Sequence, residues 1–131
     1  MAYHIDQLQP GMSASTAKTV TEADIILFAG ISTDVNPAHL DEEYAKGTMF
    51  GGRIAHGMLS AGFISAVLAN KLPGPGAIYL AQTLKFKAPV KIGDTVVTRC
   101  TITILRSSRH GGAAICTPMG KPPLDVPHRT T

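Results

Sequence analysis

The chain has 131 residues, 44% of them hydrophobic and 16% charged, which suits one folded domain over residues 1–131 and argues against a disordered chain. Its formal net charge is +3, and the 12 Lys and Arg are scattered without a basic block, so no nucleic-acid partner is expected and an anionic small molecule is merely compatible. Met1 to Pro10 lacks a basic start followed by an apolar run, and the stretch Met58 to Ala69 is too short and interrupted to span a bilayer, so the expectation is a cytoplasmic protein without a membrane segment.

Gln9-Pro10-Gly11 marks a turn, after which Met12 to Val20 reads as a strand of small and β-branched residues. Thr21 with Asp24 three positions on resembles a capping box and opens a helix with Ile25, Phe28, Ala29 and Ile31 roughly on one face. The helix must end before Asn36-Pro37, because the residue preceding a proline is pushed out of the helical region. Asp34 to Gly52 reads as loop with short helical pieces, broken by Gly47, Gly51 and Gly52.

Gly57 to Asn70 is apolar on nearly every side, which predicts a buried central helix about 21 Å long at about 1.5 Å rise per residue. Leu72-Pro73-Gly74 stops it. Beyond this point Leu84, Phe86 and Ala88 alternate with Lys85 and Lys87, and Cys100, Ile102 and Ile104 alternate with Thr101 and Thr103. That period of two predicts a hairpin of antiparallel strands joined through Lys91 to Asp94 and packed on the helix, an α+β arrangement. Ala113 to Thr117 suits a brief strand, whereas Pro118, Pro122, Pro123 and Pro127 discourage an interior one. Cys100 and Cys116 are far apart and belong to no CxxC pair, so both read as core residues.

The chemistry concentrates between Ser32 and His39, where Asp34 and His39 stand five residues apart across the Asn36-Pro37 bend. A carboxylate and an imidazole on one short loop can share a water, with one group accepting its proton and the pair returning a proton elsewhere. An ordinary structural reading stands beside this: Asp34 as a turn residue and His39 as a surface side chain. His56-Gly57 precedes the buried helix, so the Gly57 amide is an unpaired donor at the positive end of a helix dipole, able to hold an oxyanion. The plainer reading has Gly57 as a close-packed helix start and His56 as a partly buried residue bonded to backbone. The remaining histidines show no metal-ligand spacing, so no metal is expected.

Three segments resemble one family: Phe28 to Asp41, containing Ser32-Thr33-Asp34-Val35-Asn36-Pro37-Ala38-His39; Ile54-Ala55-His56-Gly57-Met58; and Phe86 to Asp94. In this order and spacing they resemble the MaoC-like (R)-specific enoyl-CoA hydratases of the PhaJ type, from about Thr16 to about Leu105. The resemblance implies a hot-dog fold, a curved antiparallel sheet around a long helix, with two subunits pairing their sheets in a homodimer or higher homo-oligomer. It implies syn hydration of a trans-2-enoyl-CoA to the (R)-3-hydroxyacyl-CoA, with no cofactor. Asp34 and His39 would activate the water and Gly57 would donate to the thioester oxygen, while Asn36, His56 and Ser65 would shape or line the substrate site. A dehydratase acting on coenzyme A or carrier-protein thioesters, a thioesterase and a non-catalytic partner subunit are the other readings. Two departures from the family pattern stand out. Thr33 occupies a position that is often glycine, and the proline-rich end after Leu105 predicts a last strand that is shortened, displaced or absent.

Overall fold

The computed structural model describes residues 2–108 and 111–119, with side chains over 2–106. The expected change in the last strand falls largely on 120–131, outside the described residues. Strand β1 (Ser13–Thr19) leads into helix α1 (Glu22–Ser32), and the short helices α2 (Pro37–Leu40) and α3 (Glu42–Lys46) follow. Helix α4 (Gly57–Asn70) then precedes strands β2 (Thr95–Ser108) and β3 (Gly111–Met119). The three strands form one antiparallel sheet in the order β1-β2-β3, with Ala14 opposite Cys100 and Thr101 opposite Thr117. Among the described residues no helix is long and apolar enough to cross a membrane.

The capping box forms as the sequence predicts. The Asp24 amide donates to Thr21 Oγ1 at 3.2 Å, and the Thr21 amide donates to the Asp24 carboxylate at 2.8 Å. Lys18 reaches the same carboxylate from β1 at 2.6 Å, and this ammonium, together with the Thr21 amide, lowers the Asp24 pKa. Helix α1 ends at Thr33, whose backbone is left-handed at φ 62°. Ile25 and Ala29 face inward, but Ile31 is 81% exposed, so the inward stripe is narrower than expected.

Helix α4 packs against β1 and β2. Ile64, Val67 and Leu68 join Leu8, Leu72, Cys100 and Ile102 in one cluster, and Leu59 joins Val20, Ile25, Ala55, Val90 and Val96 in another. Burying each such aliphatic side chain stabilises the fold by roughly 1.5–3 kcal/mol. The expectation of a helix buried all round is corrected: Met58, Gly62, Ser65 and Ala69 are exposed, because the sheet covers one face of α4 only.

The predicted hairpin is also corrected. Phe86 makes an isolated bridge and 84–88 forms no ladder, because β1 and β3 occupy both edges of β2. The alternation of 84–88 instead reflects a segment lying over the helix, with Leu84 against the core and Phe86 against Gly57. In β2 the inward parity runs through Val96, Thr98, Cys100 and Ile102, then breaks at a register shift between Ile102 and Ile104. Ile104 is therefore 48% exposed and Leu105 packs on the core in its place. Cys100 is fully buried in the core, as the sequence predicts.

Candidate active site

Asp34 and His39 reach the site from opposite sides of the bend. The amide of Asp34 donates to Ser32 Oγ at 3.2 Å, and its Oδ1 accepts from the Asn36 amide at 3.2 Å, an Asx turn that leaves Oδ2 available. Asn36 caps α2 by accepting from the Ala38 amide at 3.0 Å, so its side chain builds the loop. His39 Nδ1 lies 2.8 Å from the Ile54 carbonyl, which can only accept, so Nδ1 carries a proton and in the neutral ring the lone pair is on Nε2. That Nε2 stands 4.0 Å from Asp34 Oδ2. Two bonds of about 2.8 Å from one water would span this gap at an angle of about 90°, so a single water can touch both groups. The His39 side chain is 13% exposed and that of Asp34 51%.

His56 is buried directly behind this pair. Its ring stacks on His39 at a centroid distance of 3.9 Å, and its Nε2 donates to the Asp34 carbonyl at 2.9 Å. One ring thus supports the imidazole and the backbone of the carboxylate together. Its Nδ1 is buried without a partner among the described residues. Ligand atoms of Asp34, His39 and His56 lie within 4.8 Å of one another. Tetrahedral zinc with bonds of about 2.1 Å needs neighbouring ligand atoms about 3.4 Å apart. The 4.0 Å between Asp34 and His39 is wider than that.

A cleft of about 370 Å³ opens beside His39 and Gly57, walled by Met49, Phe50, Ile54 and Phe86. At the first position of α4 the Gly57 amide has no acceptor within the helix. A Cβ at Gly57 would stand 3.0–3.1 Å from three carbons of the Phe86 ring, so the glycine is what lets that wall approach. The cleft therefore offers an apolar slot with an imidazole and a helix N-terminus at one side. Ser60, buried and with its Oγ without a partner among the described residues, also lines it.

Ser65 is placed elsewhere. At about 100° per residue it points roughly 140° away from Ser60 around α4, into a second cleft of about 360 Å³ with Met58, Tyr79 and Leu80. The structure thus brings Asp34, His39 and His56 together, with Gly57 beside His39 in the cleft. It leaves Asn36 in the loop and Ser65 on another face. Sequence reasoning missed the cleft walls Met49 and Phe50, which lie in a glycine-broken loop with no periodicity. It also read Phe86 as a strand residue, although the missing side chain at Gly57 hinted at a close neighbour.

Comparison with known proteins fits this geometry. The family model described as MaoC like domain matches residues 6–114. The chain belongs to the MaoC-like family. It is 63% identical over 101 residues to a Rhodospirillum rubrum protein named (R)-specific enoyl-CoA hydratase, covering 77% of this chain and 70% of that relative. The solved (R)-hydratase from A. caviae involved in PHA biosynthesis superposes with a TM-score of 0.81 at 38% identity, covering 92% of each chain. The R-hydratase PhaJ1 from Pseudomonas aeruginosa also gives 0.81, at 39% identity, covering 95% of this chain and 80% of that one. The sheet packed on α4 is the hot-dog fold of these MaoC-like hydratases.

Proposed function

We propose that this chain adds water to a trans-2-enoyl-CoA, giving the (R)-3-hydroxyacyl-CoA, with Asp34 and His39 as the acid-base pair. The observation that carries the reading is the 4.0 Å gap between Asp34 Oδ2 and His39 Nε2, with His39 lining an apolar cleft. A water held in that gap loses a proton to the pair as its oxygen bonds to the β carbon of the enoyl thioester. The π electrons move toward the thioester oxygen, and the pair then delivers a proton to the α carbon. The Gly57 amide, with the positive end of the α4 dipole behind it, meets the charge on that oxygen. The thioester is its own electron sink, so positioning and charge stabilisation are sufficient and no cofactor is required.

Met49, Phe50, Ile54 and Phe86 would receive the acyl chain, with the coenzyme A portion leaving through the open side of the cleft. A homodimer or higher homo-oligomer fits the exposed apolar residues Ile26, Leu27, Ile31, Ile78 and Leu80. The test is hydration of crotonyl-CoA with the configuration of the product determined. The wild type is expected to give the (R) alcohol. Asp34→Asn and His39→Ala are each expected to lose about a hundredfold or more in kcat, the usual scale for a missing acid or base. Wild-type turnover by both variants would remove the pair from the mechanism, and release of free thiol without hydration would replace the reaction by hydrolysis.

A further inference from the structure

His39 sits on α2, a helix of four residues, which is too short to hold its own geometry in water. The structure supplies the missing rigidity from residues 53 and 54. The Ile54 amide donates to the Ala38 carbonyl at 3.2 Å, and the Ile54 carbonyl accepts from His39 Nδ1. Arg53 Nε donates to the backbone carbonyl of His39 at 2.6 Å, so His39 is gripped at its ring and at its main chain by adjacent residues. The far edge of the same guanidinium makes two parallel bonds to Glu22, at 3.0 and 2.9 Å, in the first turn of α1. The Arg53 amide meets Glu42 of α3 at 3.1 Å. The Arg53 side chain is only 13% exposed, and Arg53 is absent from the lining of the cleft that holds His39.

We propose that Arg53 is the positioning residue for His39, fixing the imidazole of the pair by tying α2 to the first turn of α1 through Glu22. The proposal rests on the hydratase reading above. Arg53 bonds to the main chain of His39 and does not line the cleft, so its effect is on where Nε2 stands and not on how substrate binds. A displacement of about 1 Å in a reacting group can cost on the order of a hundredfold in rate. Lysine would not substitute, since its single ammonium cannot reach the His39 carbonyl and hold Glu22 in a planar fork at once.

The experiment compares Arg53→Met, Arg53→Lys and Glu22→Gln with the wild type in crotonyl-CoA hydration and in the proton NMR signal of His39 Nδ1–H. The expectation is a kcat lower by about 30- to 100-fold in Arg53→Met and about tenfold in Arg53→Lys, with KM within about twofold. Glu22→Gln should lose severalfold, and the Nδ1–H proton should exchange with solvent faster in all three. If Arg53→Met does not fold, the two milder variants carry the test. A lowered melting temperature with kcat and the Nδ1–H signal unchanged would overturn the proposal, because Arg53 would then be only a structural ion pair. If His39→Ala is fully active, the assignment of His39 to the acid-base pair fails instead, while the exchange of Nδ1–H in the Arg53 variants still reports whether Arg53 holds the ring.

Discussion

Replacing Thr33 with glycine should stabilise the protein while leaving the pair beside it in place. Thr33 caps α1 at φ 62° and ψ 10°, and among the described residues it is the one non-glycine with positive φ. For an L residue this region costs roughly 1–2 kcal/mol, and a β-branched side chain belongs at the upper end. Glycine removes that strain but adds unfolded-chain freedom of roughly 0.5–1 kcal/mol. The net gain is about 1–1.5 kcal/mol, or about 4–5 °C in melting temperature for a chain of this size. Thermal unfolding followed by circular dichroism would read it, with Thr33→Ala as the control. Alanine lacks the β-branch yet keeps its Cβ, so it should gain less than glycine. Crotonyl-CoA hydration by Thr33→Gly should stay within about twofold of wild type, since the Asx turn at Asp34 and Asn36 does not use the Thr33 side chain. A Thr33→Gly protein destabilised by about 1 kcal/mol or more would refute the strain argument, because the threonine side chain would then contribute more than its backbone costs.

Gly57→Ala places a methyl 3.0–3.1 Å from the Phe86 ring, where about 3.5–4.0 Å is comfortable. Phe86 is half exposed and can move, so KM is expected to rise about tenfold with a smaller change in kcat, and adding Phe86→Leu should restore much of it; an unchanged KM in steady-state kinetics would argue against this wall. Asp24 is held below the usual carboxylate range, chiefly by the Lys18 hydrogen bond, so its stabilising contribution is complete above the unfolded value of about 3.9 and disappears as pH falls through the lower folded value. Acid unfolding of Asp24→Asn should therefore show a shallower loss of stability below about pH 4 than the wild type, and identical acid limbs would refute the assignment. Thr21→Ala removes the other half of the same capping box and should cost about 1 kcal/mol in urea unfolding.

Much of the local structure was legible because it depends on neighbours in the chain. Thr21 and Asp24 announce a helix start that the structure builds, and Asn36-Pro37 announces a bend that becomes the cap of α2. The alternation at 84–88 misled because a period of two marks one buried side without saying whether a strand or a helix covers it. The burial of His56 was weighed from sequence alone. Its stacking on His39 was not, because that contact closes across α3 and the glycine-broken loop that follows it. Arg53 shows the same limit: between Gly52 and Ile54 it carries no local signal, and its partners Glu22 and His39 are set by tertiary contact.

The register shift in β2 has a bearing on anyone who edits this strand. Inward parity is even up to Ile102 and changes at Leu105, so a scheme that counts alternate positions from Thr95 would misassign Ile104 and Leu105. Deleting Thr103 would bring the two halves of the ladder into one phase. The strand would then alternate without a break, Ile102 inward, Ile104 outward and Leu105 inward, so Leu105 would keep its place on the core and only the bulge would be lost.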